Sequence, residues 1–312
     1  MTRTHRFYKT MNCIFIYNPV GGNGKIAQKK DYIVEELKEK FEQVEIYATK
    51  RAGDMTRIVR ESAKQYDAII FAGGDGSFNE ALQGVAELDE MPMLGYIPSG
   101  TVNDIAHTLG IPTKLKKALK VIKSGCVEKI DCMKVNNRYS AYVVAAGAFT
   151  SATYNAPQIQ KNQVGRIAYG LEGVRHNLKF QAFDITCIGE SERIEANECV
   201  LITFMNSKYV GGFKMNKRAN VQDGRIEVAI VQRNKKKPNL LKKWSAYLAI
   251  AGLFLFGYHS KLRNTTRMSG STFDVNVGED ITWNIDGEKG MTGNIHIEVI
   301  PSKIKIIVPK KK

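Results

Sequence analysis

Short apolar runs and amphipathic stretches alternate along the first part of the chain. Continuous apolar runs at residues 13–17, 44–47, 68–72 and 93–97 predict buried strands. Apolar positions with helical spacing predict helices between and after these strands, at residues 25–41, 54–64, 79–87 and 115–123. Strands that alternate with helices are typical of an open, doubly wound α/β sheet, so we expect an α/β domain over residues 1–135.

After Cys126 the pattern changes to short β-rich runs. These predicted strands lie at residues 130–135, 139–145, 182–187, 199–204, 226–231, 272–277, 281–285, 295–300 and 304–308. Helical patterns at 166–177 and 240–258 interrupt them. Runs of this length and spacing predict a mainly antiparallel β-sandwich over residues 136–300. A basic tail at 301–312 would follow, with the option of returning to the first domain.

Charge is distributed unevenly along the 312 residues. The whole chain has 46 Lys and Arg against 31 Asp and Glu, and residues 205–312 contain 20 basic and 8 acidic residues. The net charge of +15 is therefore concentrated in the last third of the chain. Such a surplus indicates an acidic partner there: nucleic acid, anionic lipid or a phosphorylated ligand. Because basic residues and aromatic residues are not interleaved, nucleic acid is not expected.

Cysteine usage and the apolar runs indicate where the protein works. The five cysteines are odd in number and form no C-x-x-C pair, so we predict buried thiols in a reducing cytoplasm. The longest apolar stretch, residues 246–258, is shorter than the ~20 residues that a spanning helix needs. With basic residues before and after it, this stretch instead suits peripheral association with an anionic membrane, although a core helix is the alternative.

Two glycine-rich loops follow predicted strands and could bind phosphate. Residues 18–25 read NPVGGNGK, which is not a Walker A loop, and an ordinary strand-to-helix turn is the alternative interpretation. Residues 73–77 read GGDGS, and here three glycines surround the carboxylate of Asp75. Backbone N–H groups of such loops can reach phosphate oxygens, while a carboxylate can address a magnesium ion. A structural turn capped by Ser77 remains the alternative.

A third small-residue loop, residues 98–104, reads PSGTVND and repeats the arrangement of strand, loop and helix. In open α/β sheets, ligands bind beyond the carboxyl ends of the strands. We therefore expect the three loops to face one crevice.

Together these motifs resemble the catalytic domain of the diacylglycerol kinase family, specifically the soluble bacterial lipid kinases related to sphingosine and ceramide kinases. That family has Asn-Pro-x-x-Gly, then Gly-Gly-Asp-Gly with Thr or Ser and a following Asn-Glu, then Pro-x-Gly-Thr-x-Asn-Asp. All three occur here in order, and later matches stand at residues 223–227 (DGRIE) and 286–288 (DGE). The resemblance runs over residues 14–300. It implies a three-layer α/β domain of the phosphofructokinase and NAD kinase type.

The resemblance also implies an ATP site and a magnesium requirement. It assigns nucleotide binding to Asn18, Pro19, Val20, Gly21, Gly22, Thr49, Gly73, Gly74, Asp75, Gly76, Ser77, Phe78, Asn79, Glu80 and Thr101. It gives Asp75 and Asp131 to a water-bridged magnesium network. It matches Asn220, Asp223 and the carbonyl of Arg225 to a second, structural magnesium loop, although Asn220 stands where some relatives have another residue.

For the catalytic base, the resemblance leaves Asp286 and Glu288 as alternatives. A carboxylate in that role would accept the proton of the acceptor hydroxyl during phosphoryl transfer. Taken from the residues alone, Asp286 and Gly287 could equally form a β-hairpin turn between strands at 283–285 and 295–300.

The implied activity is transfer of the γ-phosphate of ATP to the hydroxyl of a membrane lipid alcohol, with diacylglycerol giving phosphatidic acid. Monoacylglycerol, ceramide, a sphingoid base and a polyprenol also present such a hydroxyl. The alternatives are an NAD kinase or phosphofructokinase type of enzyme and a non-catalytic lipid-binding relative. A homodimer is a further partner that the sequence leaves open.

Overall fold

A computed structural model describes residues 11–148, 182–233 and 239–310. The helix predicted at 166–177 and the lysines at 235–237 lie outside the described residues. By its internal contacts the chain divides into two compact units. The first comprises Met1–Gly100, Gly110–Glu128 and Lys305–Lys312, and the second comprises Thr101–Leu109 and Lys129–Ile304.

The sheet of the first unit is parallel. Its strands are β1 (Asn12–Tyr17), β2 (Gln43–Ala48), β3 (Ala68–Gly73) and β4 (Met93–Pro98). They run in the order β4-β3-β1-β2, and near the end of the chain Ile306 pairs with Leu94 of β4 in the same direction. β1, β3 and β4 are almost entirely buried, as parallel strands covered on both faces must be.

Helices cover both faces of this sheet. They are α1 (Lys25–Gln28), α2 (Lys30–Lys38), α3 (Asp54–Ser62), α4 (Asp75–Val85) and α6 (Leu115–Ser124), while α5 (Asp104–Leu109) belongs to the second unit. Ile33 of α2 and Ile122 of α6 pack with Phe15 and Ile70 on one face. On the opposite face, Phe78 of α4 contacts the ring of Phe71 edge-on at 5.7 Å. The predicted three-layer α/β domain is confirmed.

The helix predicted over residues 25–41 is wrong in one respect, because the structure contains two helices there. The chain leaves the helical conformation at Lys29, whose φ is −110°, and α2 begins at Lys30. Ile26, Ile33 and Leu37 nevertheless pack into the same core. The apolar period continues across the break, so the sequence pattern gave no sign of it.

The second unit is built from antiparallel strands. They are β5 (Cys126–Val135, which begins in the first unit), β6 (Arg138–Ser140), β7 (Val143–Gly147), β8 (Phe183–Gly189), β9 (Arg193–Met205), β10 (Ile226–Gln232), β11 (Thr265–Gly270), β12 (Thr272–Asn276), β13 (Thr282–Ile285), β14 (Glu288–Thr292) and β15 (Ile295–Val308, which ends in the first unit). The strand order is β14-β13-β7-β9-β8-β12-β15, with β10 and β11 continuing from β9 and with β5 pairing β6 and β15. Trp283, Phe204 and Phe273 lie at the centre of the core. The predicted antiparallel sandwich is confirmed.

Four strand predictions in this unit need correction. The run predicted as one strand at 139–145 is divided into β6 and β7, and β11 was not predicted from the sequence. Residues 295–308 form the single strand β15, although the sequence predicts two strands separated around Pro301. Ser302 has a φ of +53°, and this local deviation lets the strand continue past the proline. In addition, β13 pairs with β14, a strand that the sequence did not predict, and not with residues 295–300.

A long helix, α7 (Asn239–Phe256), confirms the helical pattern predicted at 240–258. Of the helices within the described ranges, none has both the length and the apolar character required to cross a bilayer.

Candidate active site

The first glycine loop leaves the carboxyl end of β1 as a tight turn. The Asn18 side chain accepts a hydrogen bond from the Val20 N–H at 3.0 Å, and the Asn18 carbonyl accepts one from the Gly21 N–H at 3.2 Å. Gly22 has a φ of +60°, which glycine adopts without steric cost. Thr49, beyond the end of β2, donates its N–H to the Tyr17 carbonyl at 2.9 Å. Thr49 therefore lies beside the start of this loop.

The second glycine loop joins β3 directly to α4. Gly74 is extended, and Asp75 is the first residue of the helix, so the positive end of the helix dipole lies at this loop. A side chain at Gly73 would overlap the side chain of Ser77. Asp75, Gly76 and Ser77 are partly exposed, whereas Phe78 and Asn79 are buried. The residues from Gly73 to Ser77 are thus accessible to a ligand, whereas Phe78 and Asn79 are not.

The third loop brings the first two together. A Cβ built on Gly22 would lie 3.0 Å from the Ser99 carbonyl, and one built on Gly74 would lie 3.2 Å from the Gly100 Cα. The Ser99 N–H also donates to the Gly73 carbonyl at 2.8 Å. Only glycine lets these backbones approach so closely. The three loops therefore meet at the carboxyl ends of β1, β3 and β4, where glycine-rich turns and a helix N-terminus can cradle phosphate groups.

The remainder of the third motif lies in the second unit, where Asp104 holds a turn. Asp104 is 1% exposed, and its two carboxylate oxygens accept hydrogen bonds from the Gly211 and Gly212 N–H groups at 2.5 and 2.9 Å. Both glycines have positive φ. Sequence reasoning gave Asp104 no role of its own. The Gly-Gly pair at 211–212 was the available signal, since such a pair marks a turn that needs a hydrogen-bonding anchor.

Asp131 and the predicted structural metal loop form one cluster in the second unit. Asp131 is fully buried in β5, and its carboxylate accepts hydrogen bonds from the Gly224 N–H at 2.8 Å and the Ser302 N–H at 2.7 Å. Its own N–H donates to the Val221 carbonyl at 2.7 Å. Asp131 thus fixes the loop that contains the other predicted ligands. Asp75, its predicted partner in the magnesium network, belongs to the first unit.

The donor types in this loop fit a hard cation such as Mg²⁺. Asn220 supplies an amide oxygen, Asp223 a carboxylate and Arg225 a backbone carbonyl, and Mg²⁺ prefers oxygen ligands. The Asn220 and Asp223 side chains each accept a hydrogen bond from a backbone N–H two residues further on, at 3.2 and 3.1 Å. In the described part of the chain, no group of three or more His, Cys, Asp or Glu side chains is arranged to hold a metal.

The acidic residue that closes the DGRIE motif is part of a buried polar network. Glu227 accepts a hydrogen bond from the Asn216 amide at 2.6 Å, and the Asn216 oxygen lies 3.2 Å from His259 Nε2. Burial raises the pKa of Glu227. Burial, together with Arg218 and Arg267, lowers the pKa of His259. The sequence alone gives no sign of this contact, because Asn216 is 43 residues away from His259 along the chain.

Asp286 lies inside the protein although it occupies a hairpin turn. Asp286 and Gly287 have φ values of +52° and +87°, and they form the two-residue connection between β13 and β14. The Asp286 carboxylate is nevertheless buried. It accepts four hydrogen bonds, from the hydroxyl of Ser140 at 2.7 Å and from the backbone N–H groups of Ala141, Tyr142 and Val143 at 2.6, 3.1 and 3.0 Å. The hairpin predicted from the residues alone is present, with β14 as its second strand.

Glu288 has the opposite environment. It is the first residue of β14, and its side chain is 45% exposed. The Arg138 guanidinium lies 3.5 Å from its carboxylate. The two candidate bases are therefore separated by accessibility: the Asp286 carboxylate holds the segment between β6 and β7, while the Glu288 carboxylate reaches solvent and could meet a substrate hydroxyl.

None of the five cysteines is bonded to another, and four of them are buried. Burial raises the pKa of Cys13, Cys132, Cys187 and Cys199 to about 12. These thiols are therefore protonated and act as small core residues, as predicted.

Comparison with known proteins defines the class to which this fold and these loops belong. The diacylglycerol kinase catalytic domain matches residues 12–135, and the YegS C-terminal NAD kinase beta sandwich-like domain matches residues 142–308. The chain thus combines a kinase catalytic domain with the β-sandwich that accompanies it.

Similar proteins match along nearly their whole length. A diacylglycerol kinase of Bacillus subtilis (strain 168) is 31% identical over 95% of this chain and 96% of its own. One from Staphylococcus saprophyticus is 32% identical over 93% and 95%. A crystal structure of a Bacillus anthracis protein superposes with a TM-score of 0.81 over 96% of this chain and 98% of its own, at 25% identity. The chain belongs to the bacterial diacylglycerol kinase family, and it is an enzyme of the lipid kinase type.

Proposed function

We propose that this protein transfers the γ-phosphate of ATP to the hydroxyl of a membrane lipid alcohol, diacylglycerol in the first place, and that the reaction requires Mg²⁺. The observation that carries the proposal is the meeting of three glycine-dependent loops at the carboxyl ends of β1, β3 and β4. Glycine-rich turns beside a helix N-terminus suit the binding of a polyphosphate. The names of the relatives support diacylglycerol as the acceptor.

ATP would bind along the three loops of the first unit. We assign its binding to residues 18–22, Thr49 and residues 73–80; Thr101, which the resemblance also implies, is the first residue of the second unit. Gly22, after the turn held by Asn18, and Gly74 and Gly76, at the start of α4, would offer backbone N–H groups to the phosphates. The hydroxyl of Ser77 and the dipole of α4 add attraction for negative charge. Phe78 and Asn79 are buried, so they would support the loop from below and not touch the nucleotide.

Mg²⁺, when bound, neutralises charge on the phosphates during transfer. Asp75, at the start of α4, is the residue we assign to this ion and its waters. Asp131 would act mainly by fixing the loop with Asn220, Asp223 and Arg225, since both of its carboxylate oxygens accept backbone hydrogen bonds. That loop is our candidate for a second, structural cation.

Glu288 is the base in this proposal. A general base must come within hydrogen-bond reach of the acceptor hydroxyl, and the exposed Glu288 carboxylate can do so. The buried Asp286 carboxylate, with four hydrogen-bond donors around it, is suited to positioning. In phosphoryl transfer little else is needed than positioning, charge neutralisation and one proton acceptor.

The protein would act at the cytoplasmic face of a membrane. ATP is available there, and five unpaired cysteines fit a reducing compartment. The lipid acceptor requires access to a bilayer, and the positive charge of residues 205–312 favours an anionic one.

Parallel assays of ADP release test the proposal. The purified protein is given ATP, Mg²⁺ and, in separate reactions, diacylglycerol dispersions, fructose 6-phosphate or NAD. We expect release with diacylglycerol only, and release with either soluble acceptor alone would assign the protein to a different kinase type. A panel of monoacylglycerol, ceramide, a sphingoid base and a polyprenol then ranks the lipid acceptors. Failure of every acceptor would favour a non-catalytic lipid-binding role.

A further inference from the structure

α7 has an apolar face that is not part of the core. The buried side of this helix consists of Ala246, Ala249, Ile250 and Leu253. Trp244, Leu248 and Leu255 point away from the protein, with side chains 60%, 70% and 70% exposed, and Phe256 beside them is 66% exposed. Positions 244, 248 and 255 follow helical spacing, so they form one stripe. We call Trp244, Leu248, Leu255 and Phe256 the apolar stripe.

The concentration of exposed apolar residues on this helix is unusual for the molecule. Eight large hydrophobic residues are exposed among those that the structure describes, and the apolar stripe accounts for four of them. Single exposed hydrophobic residues need no explanation, but a contiguous group marks an interaction surface.

Exposed cations lie on the two chain segments next to the C-terminal end of α7. The segment at residues 213–218 packs against this end: Phe213 contacts the Phe254 ring at 5.3 Å, and the Tyr258 N–H donates to the Met215 carbonyl at 2.6 Å. The cations on this segment and on the chain that follows the helix are all exposed: Lys214, Lys217, Arg218, Lys261 and Arg263. Neither residues 213–218 nor residues 228–273 contain an acidic residue, and Glu227, which lies between them in the sequence, is hydrogen-bonded to Asn216.

We propose that the apolar stripe and these cations form a docking surface for an anionic lipid bilayer, with α7 lying in the interface. An apolar helix face inserts at the level of the headgroups and acyl chains, while flanking Lys and Arg bind anionic headgroups. Trp244 is of the residue type that favours this interfacial level. The proposal extends the proposed function, since it identifies the surface by which a lipid kinase would reach its acceptor.

The positive charge near the apolar stripe favours an anionic bilayer over a second copy of the chain as its partner. A two-fold dimer brings the same patch of both subunits together. Pairing through the apolar stripe would therefore bring together two copies of a region with five exposed cations, and residues 213–218 and 228–273 contain no acidic residue to neutralise them. An anionic bilayer removes this repulsion, so it is the occupant to which we commit.

The intrinsic fluorescence of the two tryptophans can be used to follow vesicle binding. Trp244 is 60% exposed, whereas Trp283 is fully buried in the sandwich core. On addition of vesicles of phosphatidylcholine and phosphatidylglycerol, we expect a blue shift of the fluorescence and quenching by brominated acyl chains. Both signals should be absent from Trp244→Phe and from the parent with phosphatidylcholine alone.

Matched variants separate the apolar and the ionic contributions. In vesicle sedimentation, Leu248→Gln with Leu255→Gln should weaken binding by about tenfold or more, because two leucines that the bilayer would bury are replaced. Ile46→Gln with Val127→Gln, two exposed positions of the first unit, is the control and should bind as the parent does. Replacing Lys217, Lys261 and Arg263 by Gln should cost roughly tenfold or more at low salt and reduce the salt dependence. Gln at Lys116, Lys117 and Lys120 is the charge-matched control.

The outcomes distinguish this proposal from the proposed function. If the docking variants bind vesicles as tightly as the parent, the docking surface is refuted. If light scattering shows a parent dimer that Leu248→Gln with Leu255→Gln converts to monomer, the occupant is a second copy. Phosphorylation of a short-chain diacylglycerol below its micelle concentration should be unchanged in the docking variants. If the parent protein does not phosphorylate the short-chain diacylglycerol, the proposed function is overturned. Vesicle binding would remain as an independent result.

Discussion

Asp286 and Glu288 are separated by one glycine, yet their carboxylates have opposite surroundings. Asp286 is enclosed by a hydroxyl and three backbone N–H groups, so a neutral side chain there would leave buried donors without an acceptor charge. The Glu288 carboxylate lies 3.5 Å from the Arg138 guanidinium, and its side chain is 45% exposed. The first residue is expected to matter for stability and the second for the reaction.

Urea unfolding should separate these two carboxylates. Asp286→Asn is expected to lower the free energy of unfolding by about 1–3 kcal/mol, since buried hydrogen bonds to a charged acceptor are lost. Glu288→Gln is expected to change it by less than ~1 kcal/mol, because partly exposed ion pairs contribute little. Equal destabilisation by the two substitutions would contradict the assignment of a positioning role to Asp286.

Asp75 is the residue on which the magnesium dependence should rest. Asp75→Asn keeps the size of the side chain and removes the charge at the start of α4. We expect the rate of transfer to fall by about 10²–10³-fold, because metal stabilisation of the transferring phosphoryl group is worth several kcal/mol. Asp89→Asn, an exposed carboxylate in the same unit, is the control. An Asp75→Asn enzyme with parental rate and parental magnesium dependence would reject the assignment.

Within a single helix, the hydrogen bonds at the N-terminus of α3 contribute to stability in a pH-dependent way. The buried Asp54 carboxylate accepts hydrogen bonds from the Lys50 N–H at 2.9 Å and from Arg57 at 2.6 Å. These bonds lower the pKa of Asp54. A carboxyl group whose pKa is lower in the folded state stabilises the protein above its unfolded pKa of ~3.9. That contribution is lost as the pH falls through the folded pKa.

Asp54→Asn should therefore lower the free energy of unfolding at pH 7 by about 1–3 kcal/mol. The difference between parent and variant should shrink as the pH is reduced from 5 to 3, because protonation removes the same charge from the parent. Asp31→Asn, in the first turn of α2 with a side chain 88% exposed, should show neither effect. A difference for Asp54→Asn that stays constant over this pH range would contradict the role given to its charge.

The elements that the sequence predicted are those with a strong apolar pattern. β1, β3 and β4 are continuous apolar runs, and α7 is a long apolar helix. β14 escaped prediction because residues 288–292 read EKGMT and do not alternate. The extension of β15 past Pro301 was not predictable either. The Ser302 N–H at this point of the strand donates to Asp131, which is 171 residues away along the chain.

In the candidate site, too, features with a local sequence pattern were predicted and contacts between distant residues were not. Glycines at strand ends are visible in a sequence, so the three loops of the first unit were predicted, and the structure brings them together. The anchoring roles of Asp104 and Asp131 were not visible, because their partners at residues 211–212 and 224 are distant in sequence. Sequence spacing also could not separate Asp286 from Glu288, since their difference lies in burial.

At the scale of the whole molecule, charge and exposed apolar surface occur in the same third of the chain. Residues 205–312 hold 20 basic and 8 acidic residues, and the apolar stripe lies within them. The sequence predicted the charge and the apolar helix. Only the structure distinguishes the side of α7 that packs in the core from the side that faces outward. This combination supports a kinase that works on a lipid and not on a small soluble acceptor.

The most direct test of the account follows the fate of the transferred phosphate. The parent protein and Glu288→Gln are incubated with γ-labelled ATP, Mg²⁺ and diacylglycerol in anionic mixed micelles, and the lipids are extracted. Glu279→Gln, an exposed glutamate of the same unit, serves as the control.

For the parent and the control, we expect labelled phosphatidic acid in the organic phase, and no labelled phosphatidic acid when EDTA is present. For Glu288→Gln, we expect a loss of about 10²–10⁴-fold in kcat with little change in the KM for ATP, because a general base is removed. Label that stays in water-soluble products with the parent, or a Glu288→Gln rate equal to that of the parent, would contradict this account.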